Sequence, residues 1–90
     1  MRLRISADAR NDLARIDRWL TEIGDGLAGQ AQDAIADRIE LLLDNPAIGS
    51  PLTGARRKVI ERRFGDVILY RHDHATLTIL RIRHQREAWR

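Results

Sequence analysis

No cysteine occurs anywhere in the chain. Neither a disulfide framework nor a thiolate metal site can therefore staple it. At this length a domain buries only roughly 60–65% of its unfolded surface and is marginal alone. A tight partner that binds the folded state adds stability. Long apolar runs are missing as well: none reaches the length of a membrane span or a signal-peptide core. Met1 and Arg2 lead straight into a strand pattern, so no cleaved leader, no membrane contact and a cytoplasmic location are expected. Aromatic residues are scarce, with Trp19, Phe64, Tyr70 and Trp89 making up the full set. There is no phosphate-binding glycine loop, dinucleotide fingerprint or nucleophile elbow. No internal repeat or low-complexity tract is present. These absences argue against nucleotide-dependent and serine-hydrolase chemistry. They leave one small domain spanning residues 1–90.

What is present is an uneven charge. Residues 1–55 carry six arginines against nine acids, a net of −3. Residues 56–90 carry nine arginines and one lysine against four acids, a net of +6. A basic half points to an anionic partner, either nucleic acid or an acidic protein segment. Strand alternation also gathers charge on one face without any partner, so each arginine alone is equally well explained as a solvated residue.

Taken in order, Arg2 to Ser6 alternates polar and apolar, which predicts a short strand with Leu3 and Ile5 inward. Ser6 can cap a following helix, with Asp8 in its first turn. Ala9, Leu13, Ile16, Leu20 and Ile23 are spaced as one helix face over 7–23, with Trp19 at the edge of that seam. Gly24-Asp25-Gly26 breaks the helix. A second helix over 27–44 has the seam Ala28, Ala31, Ile35, Ile39 and Leu42, widened by Leu27, Ala34 and Leu41. The short break makes the two helices an antiparallel hairpin. Asn45-Pro46 ends the second helix. Residues 47–55 read as a loop. Strands follow over 58–63, 66–72 and 76–84, joined by tight turns at Phe64-Gly65 and His72-Asp73-His74-Ala75, an antiparallel meander. The predicted fold is α+β, in the order β-α-α-β-β-β, with the helical hairpin packed on one face of the meander.

One hairpin covers one face only, yet the last two strands are apolar on both. In strict alternation Val67 and Leu69 oppose Ile68 and Tyr70, and Leu77 and Ile79 oppose Leu80 and Ile82. Arg81 and Arg83 would then continue the stripe of Leu77 and Ile79. An uncovered apolar face marks an interaction site, or else the segment after His84 folds back over it.

The three histidines, His72, His74 and His84, have no carboxylate cluster to join, and zinc needs three or four converging ligands. Neither a metal nor a cofactor is expected. A metal-free ribonuclease would need a base, an acid and cations around one phosphate. His84, Arg86, Lys58 and Arg81 are the candidates for that chemistry, and Trp89 could stack on a base. The competing expectation is a binding surface made of Arg56, Arg57, Arg71, Arg81, Arg83, His84, Arg86 and Trp89.

Several short runs carry a resemblance across nearly the whole chain. They are the short first strand, Asp12-Leu13 with Ile16, and Leu42-x-x-Asn45-Pro46-x-x-Gly49. Gly54-Ala55-Arg56-Arg57, Ile68-x-Tyr70-Arg71 and Ile79-Leu80-Arg81-Ile82-Arg83-His84-x-Arg86 follow. In this order the chain resembles the ParE/RelE superfamily of bacterial toxins from type II toxin–antitoxin pairs. RelE-like members are ribosome-dependent mRNA endonucleases; the ParE-like members studied poison DNA gyrase through protein contact. Where RelE-like members place catalytic basic residues and a terminal tyrosine, this chain has Val67, Ile60 and Trp89. The resemblance therefore implies a ParE-like toxin, with the RelE-like nuclease as the alternative. It also implies a hetero-oligomer with a cognate antitoxin whose acidic, amphipathic C-terminal segment orders on binding. No direct sequence-specific DNA binding is implied.

Overall fold

The computed structural model describes residues 1–85. Strand β1 (Arg2–Ile5) leads into helix α1 (Ala7–Ile23), and α2 (Leu27–Asp44) returns against it. A 3-10 turn over Pro46–Ile48 precedes β2 (Ser50–Pro51), β3 (Arg56–Glu61), β4 (Asp66–His72) and β5 (Thr76–His84). The five strands form one sheet in the order β1-β5-β4-β3-β2. The β3–β4–β5 meander is antiparallel, and β1 joins the outer side of β5 in parallel. The α+β architecture, with its helical pair on one face of the sheet, is the one the apolar spacing predicts. Among the described residues no helix is long and apolar enough to cross a membrane.

The first turn of α1 forms as Ser6 suggests. Its Oγ accepts the Ala9 N–H at 3.0 Å and donates to the Leu80 carbonyl at 2.8 Å. One side chain thus satisfies an orphan donor of the helix and fastens α1 to β5. The core is built from Ala9, Ile16 and Leu20 of α1, Ala31, Ile35, Ile39 and Leu42 of α2, and Ile68, Tyr70, Leu77, Ile79 and Ile82 of the sheet. Ile23 is 56% exposed, and Leu41 is exposed too, although the seams expected both inside. Ile23 is the last residue of its helix, and Leu41 stands beside the buried Leu42. Leu3 is likewise exposed, because β1 is an edge strand.

The main correction concerns β5. Leu69 stands opposite Arg81 while Tyr70 stands opposite Ile79, so Leu80 is one residue too many for the ladder. This β-bulge shifts the alternation by one. Leu77, Ile79, Ile82 and His84 all become buried, and Leu80 does not join Ile82 on one face. Beyond the bulge, Arg83 pairs with Val67 on the outer face, so Arg81 and Arg83 do not continue the stripe of Leu77 and Ile79.

Two smaller departures surround β3. It begins at Arg56 and ends at Glu61, rather than running over 58–63. The buried Glu61 carboxylate accepts the backbone N–H groups of Arg63 and Phe64, which folds Arg62 and Arg63 into the turn. Gly65 completes that turn at φ 79°, a conformation that suits glycine. The expected loop over 47–55 also holds the short edge strand β2, paired to β3 through Ser50–Lys58 and Pro51–Arg57.

Candidate functional site

The outer face of the sheet is built by cross-strand pairs of β3 and β4. Arg56 faces Arg71, Lys58 faces Leu69 and Ile60 faces Val67. Successive pairs alternate between faces, so Arg57–Tyr70, Val59–Ile68 and Glu61–Asp66 turn toward the helices instead. The result on the outer face is an apolar strip with cations along it. Ile60, Val67 and Leu69 are half-buried there, and with Leu52, Arg56 and Lys58 they line a groove of about 590 Å³. A smaller depression, of about 330 Å³, brings Arg4 of β1 near Arg71. Among the described residues, the helices leave this apolar face of the sheet uncovered, as the strand pattern anticipates.

The residues singled out from sequence divide between the two sides of the sheet. Arg56, Lys58, Arg71 and Arg83 belong to the outer face. Arg57 does not: its guanidinium donates to the carbonyls of Ala47 and Gly49, at 3.2 and 2.8 Å, and holds the loop after α2. His84 is buried on the helix-facing side, with its ring 5.0 Å from that of Trp19 in an edge-on arrangement. Lys58 and His84, both candidates for nuclease chemistry, therefore lie on opposite faces. Arg86 and Trp89 lie outside the described residues. Among the described residues no three His, Asp or Glu side chains gather in a way that could hold a metal ion.

Arg81 has a separate role, through a residue whose importance the sequence reading missed. Asp12 is 1% exposed and sits on the buried face of α1. Its Oδ2 accepts from Arg81 Nε at 2.8 Å and from the Ile82 N–H at 2.9 Å. Its Oδ1 accepts from Arg81 at 3.1 Å and from Arg15 at 2.7 Å. β1 pairs with β5 only as far as Ile79, so the β5 edge beyond it lacks a strand. Ser6 and Asp12 take up the backbone groups of Leu80 and Ile82 in its place. Burial pushes the Asp12 carboxyl up, but hydrogen bonds from Arg81, Arg15 and Ile82 outweigh it and hold the pKa at about 2. The same pairing raises Arg81 above its ordinary value. The signal was legible: Asp12 falls three residues after Ala9 and four before Ile16, on the seam itself.

The loop after α2 is fixed by Tyr70. Its hydroxyl donates to the Pro46 carbonyl at 2.7 Å and accepts the Gly49 N–H at 2.9 Å. Gly49 is required by space rather than by backbone angle. A Cβ there would lie 2.8 Å from the Lys58 carbonyl oxygen and 2.7 Å from a Tyr70 ring carbon.

The chain matches, over residues 3–89, the family described as the ParE toxin of the type II toxin-antitoxin system, parDE. It is also similar to a chain in a solved structure of the chromosomal ParDE toxin–antitoxin system from P. aeruginosa. The two are 25% identical with a TM-score of 0.76, and the match covers 93% of this chain and 95% of that one. No curated protein matches it.

Proposed function

This chain belongs to the ParE toxin family, and on that premise we propose that it arrests growth by binding DNA gyrase through the outer face of its sheet, without cutting RNA. It is the toxin component of a ParDE-type pair, which implies a cognate antitoxin. The observation that carries the proposal is the separation of Lys58 from His84 by the thickness of the sheet. Metal-free RNA cleavage needs a proton carrier and cations within hydrogen-bond reach of one phosphate. The outer face offers Arg56, Lys58 and Arg71 around the apolar side chains of Ile60, Val67 and Leu69. Cations around an apolar strip suit a protein surface with acidic and apolar residues, the usual anatomy of a specific interface.

The antitoxin role follows from the same surface. An acidic, amphipathic segment that orders across Arg56, Lys58 and Arg71 would block the target and stabilise this small domain together. Arg83, paired with Val67 on the same face, extends that surface in the proposal.

The test uses purified gyrase. The unsubstituted chain should inhibit supercoiling and trap cleaved DNA. K58E/R71E should lose both effects while keeping its melting temperature. Full inhibition by the double variant would place the contact elsewhere.

A further inference from the structure

One row of side chains runs straight across the outer face, from β1 to β3. Thr78 of β5 is paired with Arg4 on one side and Arg71 on the other, and Arg71 is paired with Arg56. Neighbouring strands lie about 4.8 Å apart, so the row from Arg4 to Arg56 spans about 14 Å. All three arginines are exposed, and among the described residues none of them is in an ion pair. Arg56 donates from Nε to the Thr53 carbonyl at 3.2 Å, an acceptor that carries no charge to balance its own. Like charges directly opposite each other on adjacent strands destabilise a sheet. Arg56 beside Arg71 is such a pair, and a bound anion offsets the repulsion.

The depression between Arg4 and Arg71 is polar. Thr76 and Thr78 line it, and among the described residues Ala55 is the one apolar member of its lining. Its one acid, Asp73, is engaged in the hairpin turn, where Oδ1 accepts the N–H groups of Ala75 and Thr76, both at 2.8 Å. His72 and His74 flank that acid in the chain. Arg2, paired with Thr76, adds a cation further along β1. Arg10 of α1 shares a second depression with Arg4, over Leu3 and Ile5, and carries positive charge round the β1 edge.

The two halves of the outer face therefore differ in kind. The groove over Ile60, Val67 and Leu69 offers the apolar pockets that a protein partner fills. The row from Arg4 to Arg56 offers cations and hydroxyls, the groups that contact a phosphodiester backbone. We infer that this row binds the phosphate backbone of duplex DNA beside the protein contact, so that the toxin bridges gyrase and the DNA that gyrase holds. The contact is with phosphates and reads no base sequence. Arg56 and Arg71 stand at the boundary of the two halves and serve both. The choice of duplex DNA as the ligand rests on the reading that gyrase is the target.

The experiment measures binding of the full chain to a labelled DNA duplex of arbitrary sequence, by fluorescence anisotropy over a series of salt concentrations. Each neutralised phosphate contributes about −0.9 to the slope of log K against log salt, so the unsubstituted chain should give a slope of about −2 to −3. R4Q and R71Q, one on each side of Thr78, should each reduce the slope by about 0.9 and weaken binding about fivefold near 0.15 M salt. R18Q removes the same charge from an exposed position on α1 and should change neither. Unchanged melting temperatures verify the fold of each variant. Absence of duplex binding, an equal loss in R18Q, or tighter binding of single-stranded RNA than of the duplex overturns the inference. Affinity for DNA-free gyrase separates this site from the protein contact. R4Q should bind it as the unsubstituted chain does, and a loss there overturns the assignment of the row to DNA. If the unsubstituted chain binds the duplex with this pattern but does not bind gyrase, the gyrase reading fails and the DNA site stands. If it binds gyrase and not the duplex, the gyrase reading stands and the DNA site fails.

Discussion

Asp12 and Arg81 are 69 residues apart in the chain and meet through two hydrogen bonds, of 2.8 and 3.1 Å. The contact closes the fold at its least regular point. β1 ends opposite Ile79, which leaves the Ile82 N–H just beyond the bulge without a strand partner, and the same carboxylate accepts it. Arg81 is thereby committed to holding β5 against α1, rather than to the basic face of the sheet.

Replacing Asp12 with Asn keeps the shape but removes the charge that Arg81 and Arg15 share. Breaking a buried, hydrogen-bonded ion pair costs about 3–5 kcal/mol, and less when one partner reaches solvent, as Arg81 does. Urea unfolding should show D12N less stable than the unsubstituted chain by about 2–3 kcal/mol. A loss within about 0.5 kcal/mol would place this site among ordinary surface positions.

The same carboxylate makes stability depend on pH. Its folded pKa of about 2 lies below the ordinary 3.8. The stabilisation is therefore complete above the ordinary value and disappears as pH falls through 4 toward 2. By linkage the difference amounts to about 2 kcal/mol. Unfolding at pH 5, 3.5 and 2 should show the gap between the unsubstituted chain and D12N closing. A gap that stays constant would show that Asp12 does not titrate with folding.

Arginines on the two sides of the sheet should behave differently. R81A removes the bidentate partner of Asp12 and should cost about 1–3 kcal/mol of stability. R71A alters an exposed residue and should stay within about 0.5 kcal/mol, while weakening partner binding. Paired melts and affinity measurements on the two variants separate a structural arginine from a binding one. Equal stability losses would remove the distinction.

Tyr70 and Gly49 should fail for different reasons. Y70F leaves the buried Gly49 N–H without its acceptor, at a cost of about 1–3 kcal/mol. G49A must instead push the Tyr70 ring and the Lys58 carbonyl aside. Overpacking of that kind costs about 1–3 kcal/mol. If the tyrosine is the obstacle, Y70F/G49A should cost less than the sum of the singles. Additivity in the double-mutant cycle would show that the two residues do not crowd one another.

The helices and the last two strands were legible because local pattern determines them. Apolar spacing gave α1 and α2, and Asp66–His72 and Thr76–His84 have the bounds that alternation and turn residues indicate. What pattern cannot show is a change of parity inside a strand. Leu80 and Arg81 look like any other alternating pair, yet the bulge there moves Ile82 and His84 to the same side as Ile79. That one residue decides which basic side chains share a face. It separated His84 from Lys58, although sequence alone placed both in one candidate nuclease set. Asp12 was visible as a carboxylate on a buried seam, but its partners lie at the far end of the chain. The short strand β2 had no periodicity to reveal it, and its Pro51 suits an edge position.

The central claim is that this toxin acts through protein contact on its outer sheet face. It is tested most directly by inducing the chain without its antitoxin and following gyrase and mRNA in the same cells. Cleaved DNA trapped on gyrase, with transcripts intact and the effect abolished by K58E/R71E, is the result predicted. Transcripts cut on translating ribosomes, with gyrase still free of trapped DNA, would contradict it.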